Sequence, residues 1–343
     1  MKNDPVVGGV TPALTATDIL QATRGIETVT GVETEAWGDF PGPHMTIPRI
    51  WALRNRIAEH LGRDEVAGVV VTHGTDTLEE SAYLVARSLA SPKPVVFTGA
   101  MRTQSDLGWD GPANLFEAVS VAASPAARGY GVAVVLGGQI FTALDVTKSN
   151  TQLLDAFESP GLGPLGYIDE GEIIFRRELP PMPAPLAPEA PATPVDVFFA
   201  VAGCDSRMLD TARSESRGAV IAAMGRGNVP PAMVPGIQRF IEDGKPVVIT
   251  SRTGGGRVGH TYAYPGGGRT LEQLGAIFAG SRRPQQARID LMLALGVESG
   301  ADEGHDRGVV MNAGKDVNPR VGATVNTETA SVQHSRLRTL FAT

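Results

Sequence analysis

Short runs of β-branched and apolar residues recur along this chain, and the stretches between them carry helical periodicity. Few folds admit that spacing. Residues 67–72 include Val69, Val70 and Val71 in succession, the mark of a strand covered on both faces. Before it, residues 47–61 place Ile50, Leu53, Ile57 and Leu61 on one helical face, and Gly62 stops the pattern. After it, residues 78–89 read as a helix whose first turn carries Glu79 and Glu80, favoured at the positive end of the helix dipole. A strand at 94–97, a helix at 114–123 and a strand at 132–136 follow. Strand, helix and strand at this spacing predict an α/β fold with a mostly parallel sheet and flanking helices.

The texture changes near residue 176. Residues 179–194 are dense in proline and nearly free of charge, which reads as a semi-rigid linker. A second, smaller α/β set follows. Strands are expected at 195–202, 218–223 and 245–250, and helices at 234–242, 271–278 and 284–295, with Pro235 tolerated in a first turn. The expected organisation is an N-terminal domain over 1–176, a linker over 177–194, a C-terminal α/β domain over 195–297 and a polar tail, 298–343, assigned to neither. A length of 343 residues suits two domains.

Composition excludes several classes. Hydrophobic residues make up 42% and charged residues 20%, a globular balance. No apolar run approaches the ~20 residues of a membrane-spanning helix. The net charge of −7 argues against nucleic acid and for a small-molecule substrate. The lone Cys204 excludes a disulfide framework, and the six histidines show no metal-ligand spacing. Gly254 to Gly259 fits G-x-G-x-x-G, but the loop material of 260–268 follows it where a dinucleotide site needs a helix. No cofactor is expected.

Three strand exits can carry chemistry. Thr72-His73-Gly74-Thr75-Asp76-Thr77 sits where a buried strand ends and a helix begins, the place where open α/β sheets bind ligands. Thr75 offers a hydroxyl and Asp76 a carboxylate beside it; either also serves as an ordinary helix cap. Phe97 to Arg102 leaves the next strand and reads as a tight exit with a surface arginine. Asp145 to Asn150 surrounds Lys148 with hydroxyls and a carboxylate. A lysine there accepts protons only where burial favours its neutral form, and it matters only if the fold brings it beside Thr75.

The run Val71-Thr72-His73-Gly74-Thr75-Asp76-Thr77-Leu78-Glu79-Glu80-Ser81-Ala82 closely resembles the second signature of bacterial-type L-asparaginases. Val96 to Arg102, Asp145 to Asn150, Gly163 to Tyr167, Gly225 to Asn228 and Pro284 to Arg288 match that family in order, so the resemblance spans roughly residues 1–297. It implies a two-domain asparaginase-like fold. The implied enzyme is an amidohydrolase that releases ammonia from the side chain of L-asparagine, and in many members from L-glutamine. It also implies a small-molecule amide substrate, a homotetramer built as a dimer of dimers, and no cofactor. Carried over, Thr75 activates the attacking nucleophile, Lys148 accepts its proton, and Asp76 orients them and holds the substrate's α-amino group. The resemblance also implies substrate contacts at Gly74 and at Asn228, near a site shared between subunits.

The sequence departs from the family at several points. The T-G-G-T-I-A motif that follows the family's first strand has no counterpart, so the first strand and first catalytic threonine are expected to be missing. Val10-Thr11-Pro12 matches the lid region instead. A start codon assigned too far downstream is the expected cause, with a truncated gene as the other, and a frameshift is the parallel expectation after Glu298. Loss of a central strand predicts instability and weak activity. Where many members have a Ser-Gln pair on the substrate carboxylate, this chain reads Gly42-Pro43-His44-Met45. The backbone N–H groups of Gly42 and His44 are the expected substitutes, since Pro43 has none. Two alternatives remain: an asparaginase-like paralogue that binds ligand without turnover, and the asparaginase-like subunit of a tRNA amidotransferase. The latter is disfavoured by the acidic charge and by the lack of its extra N-terminal domain. The unremarkable start at Met1 leads to an expectation of cytoplasmic location.

Overall fold

The computed structural model describes residues 2–4, 8–11, 14–179, 184–305 and 327–342. The chain divides into two compact units, Met1–Leu186 and Ala187–Thr343.

The first unit opens with a hairpin of β1 (Lys2–Asp4) and β2 (Gly9–Thr11), then α1 (Ala16–Ala22). Thr15 caps α1 reciprocally: its hydroxyl accepts the Asp18 N–H, and the Asp18 carboxylate accepts the Thr15 N–H. The alternation follows as α2 (Ile47–Leu61), β3 (Val69–Thr72), α3 (Leu78–Ser88), β4 (Val95–Thr98), α4 (Gly111–Ala123) and β5 (Val132–Leu136). The face of α2 that periodicity selects, Ile50, Leu53, Ile57 and Leu61, is the face that is buried.

β3, β4 and β5 pair in parallel. β6 (Gln139–Thr142) then folds back antiparallel on β5 through Gly137 and Gly138, whose φ values of 58° and 71° suit a tight hairpin. A two-stranded ribbon of β7 (Thr147–Lys148) and β8 (Phe157–Glu158) comes next, and the hairpin of β9 (Gly166–Asp169) and β10 (Glu172–Phe175) adds to β6. The six-stranded sheet, ordered β10-β9-β6-β5-β4-β3, is therefore mixed. The strand–helix–strand spacing reads its parallel half. The antiparallel half, β6, β9 and β10, has no helix between its strands, so that spacing passes over it.

β3 ends this sheet. Its Val69 N–H donates to Pro94 O at 3.0 Å, and the His73 N–H just beyond its end donates to Thr98 O at 2.8 Å. Alternation along a strand turns the Val70 and Thr72 N–H groups to the other edge, where no strand lies among the described residues. Beside that edge is a cavity of about 930 Å³, walled in part by Leu53 and Ile57 of α2 and by Leu115 and Val119 of α4.

The second unit runs β11 (Val195–Phe199), α5 (Arg207–Ala212), β12 (Gly218–Ala223), α6 (Val234–Glu242), β13 (Val247–Ser251), α7 (Gly268–Leu274), β14 (Ile277–Phe278), α8 (Pro284–His305) and α9 (Thr327–Phe341). Its four strands are all parallel, in chain order. The helix expected over 271–278 is corrected: Gly275, at φ 105°, ends α7, and Ile277 and Phe278 join the sheet. The proline-dense stretch is tied down at two points. Leu186 N–H donates to Arg87 O in the first unit, and Ala192 N–H to Met292 O in the second, each at 2.8 Å. Residues 180–183 of that stretch lie outside the described residues. So does 306–326 of the tail, but α9 packs on β14, buries Leu337 and Phe341, and accepts an Arg282 guanidinium bond on Leu340 O at 3.0 Å. No helix among the described residues is long and apolar enough to cross a membrane.

Candidate active site

Five residues link the end of β3 to the start of α3, and they set Thr75 and Asp76 at the carboxyl end of a parallel strand. Three backbone segments converge there. A Cβ on Gly74 would lie 2.7 Å from the Gly42 nitrogen, and one on Gly99 would lie 2.6 Å from His73 O, so only glycine permits these approaches. Thr77 adds a bond from its hydroxyl to Gly42 O at 2.7 Å.

Lys148 arrives on β7. Its Nζ donates to Thr75 Oγ1 at 2.9 Å and to Asp76 Oδ1 at 2.6 Å. The lysine side chain is 17% exposed and the Asp76 side chain 59%, so the carboxylate faces solvent while the ammonium sits behind it. His73, two residues before Thr75, is half-buried. Its Nδ1 lies 2.7 Å from Gly74 O and its Nε2 3.0 Å from Ser81 Oγ. A carbonyl can only accept, so Nδ1 carries the proton and Nε2 accepts from the serine. Burial pushes the His73 pKa below its ordinary value, and the bond to Gly74 only partly offsets this.

Of the residues expected from sequence, Gly42, Gly74, Thr75, Asp76 and Lys148 are gathered here. His44 is corrected. Its N–H closes a 3-10 turn on Pro41 O at 2.9 Å and its side chain is exposed, so the turn consumes the donor assigned to a substrate carboxylate. Asn228 belongs to the second unit. Its backbone bridges Met224, and its side-chain Oδ1 is buried without a hydrogen-bond partner. Thr11 lies in β2, paired with Lys2.

Sequence reasoning gave no site role to four supporting residues. The Asp110 carboxylate accepts the N–H groups of Met101 and Arg102, each at 2.9 Å, and Asn114 Nδ2 donates to Gly99 O at 2.9 Å. Together they cinch the exit of β4. Their signal was a polar pair four residues apart at the start of an apolar helix. Ser81 and Glu79 sit on α3; Glu79 Oε2 accepts the Lys148 backbone N–H at 2.5 Å.

Among the described residues no group of three His, Cys, Asp or Glu side chains could hold a metal ion. What the cluster offers is a hydroxyl, an amine and a carboxylate in contact. A neutral lysine at that distance can take a proton from the hydroxyl, and the carboxylate can bind a cationic group of a ligand.

Residues 1–181 match the family described as Asparaginase, N-terminal, and residues 194–305 match the Glutaminase/Asparaginase C-terminal domain. A probable L-asparaginase of Deinococcus radiodurans is 38% identical over 285 residues, covering 82% of this chain and 86% of that protein. An L-asparaginase of Bacillus licheniformis is 33% identical over 262 residues, covering 75% and 80%. Among solved structures, a probable cytoplasmic L-asparaginase from Campylobacter jejuni superposes with a TM-score of 0.75 at 31% identity, covering 82% of this chain and 89% of that one. Two family domains in order, relatives this similar over most of both chains, and a threonine–lysine–aspartate cluster at a strand end lead to one conclusion: the chain belongs to the bacterial-type L-asparaginase family of amidohydrolases.

Proposed function

We propose that this protein hydrolyses the side-chain amide of L-asparagine to L-aspartate and ammonia, and that Thr75, Lys148 and Asp76 carry out the proton transfer. The observation that carries the reading is the double contact of Lys148 Nζ with Thr75 Oγ1 at 2.9 Å and Asp76 Oδ1 at 2.6 Å. Thr75 Oγ1 attacks the amide carbon, giving an ester that a water then cleaves to L-aspartate and free Thr75, or it activates a water that attacks directly. Lys148, in its neutral form, takes the hydroxyl proton and returns it to the leaving ammonia. Asp76 holds Lys148 in place and offers its exposed oxygen to the substrate's α-ammonium. In this reading the Gly42 N–H takes part in holding the substrate carboxylate, and backbone N–H groups at the strand ends hold the developing oxyanion.

The experiment is ammonia release from L-asparagine, from L-glutamine and without substrate. Thr75→Ala and Lys148→Met are each expected to lower turnover roughly 10³-fold or more, the scale of losing one member of an activated-nucleophile set. Normal turnover in either variant refutes the relay. Ligand binding without ammonia from any amide favours the paralogue that has kept the fold and lost the chemistry. Equal release from both amides sets the specificity as asparaginase-glutaminase.

We further propose that the protein works in the cytoplasm as a homotetramer. Similarity to the probable cytoplasmic L-asparaginase from Campylobacter jejuni supports the location. The exposed apolar residues Phe199, Val201 and Met208 offer surface for assembly. A monomeric mass by light scattering refutes the tetramer.

A further inference from the structure

We propose that Glu79 is the positioning residue that sets Lys148 at the reacting hydroxyl. This rests on the reading of Lys148 as proton acceptor and adds a residue to it.

Lys148 touches the segment 75–79 three times. Its ammonium meets Thr75 and Asp76, and its backbone N–H meets Glu79 Oε2 at 2.5 Å. The first two bonds hold the end of a flexible four-carbon stem, and the third holds its root. β7 has two residues and pairs with β8 alone, with Lys148 opposite Phe157. The Lys148 N–H is not part of that pairing; it points across to α3. Glu79 thus does for Lys148 what a further strand would do in a wider sheet, fixing the backbone on the side β8 does not reach.

The anchor is itself well held. Glu79 lies in the first turn of α3, where the free N–H groups and helix dipole favour a carboxylate. A charged acceptor also makes a shorter and stronger bond than a neutral one. Because Thr75 and Asp76 precede the first residue of α3 by three and two positions, the bond ties both halves of the relay to one rigid piece. A long lysine side chain has much rotamer freedom to lose, and fixing its root reduces the number of placements its ammonium explores. Glu79 touches no reacting atom, so it acts through Lys148.

The test uses the full chain as wild type, Glu79→Ala and Glu79→Gln. Glutamine keeps a side-chain carbonyl that can accept the same N–H, and alanine keeps none. Two readouts are taken. The first is steady-state ammonia release. Glu79→Ala is expected to lose about 10- to 100-fold in kcat with KM little changed, since a small misplacement near the chemistry costs on that scale, and Glu79→Gln is expected to recover most of it. The second needs no turnover: the rate of acetylation of each lysine by acetic anhydride, read by peptide mass spectrometry. Lys148 is expected to react several-fold faster in Glu79→Ala and at the wild-type rate in Glu79→Gln. Lys93, held in the same unit by the carbonyls of Leu61 and Arg63, is expected to stay unchanged and so reports the fold.

An unchanged Lys148 rate in Glu79→Ala overturns the proposal. So does an equal rise at Lys93, which marks unfolding, and so does failure of glutamine to rescue. The two readings fail separately. If Lys148→Met still releases ammonia while Glu79→Ala frees Lys148, the relay falls and the positioning stands. If Lys148→Met is dead while Glu79→Ala matches wild type in both readouts, the positioning falls alone.

Discussion

The two sheets are built from similar material and covered differently. β12 lies between β11 and β13, and every one of its residues is buried. β3 is richer in valine, three of its four residues against one of six, but it ends its sheet, and none of its four residues is fully buried. Its next neighbour inward, β4, is wholly buried. A short apolar run therefore selects a strand in both units, while burial depends on what lies on each side. In the second unit α9 packs on the terminal strand β14; in the first, the free edge of β3 borders a cavity of about 930 Å³. The turn that carries Thr75 and Asp76 is mounted on the less covered of the two sheets.

The largest effect expected from this contrast is on stability. Ile221, at the centre of β12, is 0% exposed, so Ile221→Ala leaves a cavity with little chance of collapse and should cost about 2–5 kcal/mol. Val70 of β3 borders two clusters but is only half-buried, and Val70→Ala should cost roughly 1 kcal/mol. The units can be followed separately, because Trp37, Trp51 and Trp109 all lie in the first. In urea, Val70→Ala should shift the tryptophan fluorescence transition slightly, and Ile221→Ala should shift mainly the circular-dichroism transition. Equal costs at the two sites would mean that the edge of β3 is as well covered as β12.

Hydrogen exchange should resolve the same contrast amide by amide. Val69 and His73 donate to β4 or its flank, whereas Val70 and Thr72 face the free edge. Exchange is expected to be fast at 70 and 72 and slow at 69 and 73, an alternation of period two. In β12, bonded on both sides, Val220 and Ile221 should be protected alike. Uniform protection along β3 would show a partner on its outer edge.

Local patterns were legible and distant pairings were not. The buried face of α2 and the bounds of β12 and α6 follow from periodicity, because a helix or strand in one environment repeats its environment in its sequence. The hairpins at Gly137 and at Gly171 join their strands through a turn glycine with no helix between them, so the strand–helix–strand spacing passes over β6, β9 and β10. The stretch from Leu271 to Phe278 hid a helix end, since Leu271 packs from a helix and Phe278 from a strand against the same core cluster. At the site, the turn that carries Thr75 was visible as a strand exit. Its contact with Lys148 joins residues 73 positions apart, and no local pattern encodes such a pairing; it was read through family resemblance. Glu79 was noted only as a favourable helix start, because its bond to Lys148 is equally remote.

The smallest expected effect concerns pH. Burial lowers the His73 pKa in the folded chain below the ordinary value of about 6.5. Below that value the unfolded chain binds the proton and the folded one resists it. Stability is therefore full above pH 6.5 and falls as pH drops toward the folded pKa, with a slope of at most about 1.4 kcal/mol per pH unit for one group. His334 in the second unit is lowered too, by burial and by Arg338, so both units should weaken in acid. The two contributions separate by probe. His73→Gln should be less stable than wild type at pH 7.5, having lost a fitted ring and its bonds to Gly74 and Ser81. Between pH 7.5 and 5.5, however, its tryptophan transition should move less than the wild-type transition, while acid loss in the second unit stays as before. An undiminished acid shift of the fluorescence transition in His73→Gln would place the first unit's proton uptake elsewhere and remove His73 as the reason that the less covered sheet is also acid-sensitive.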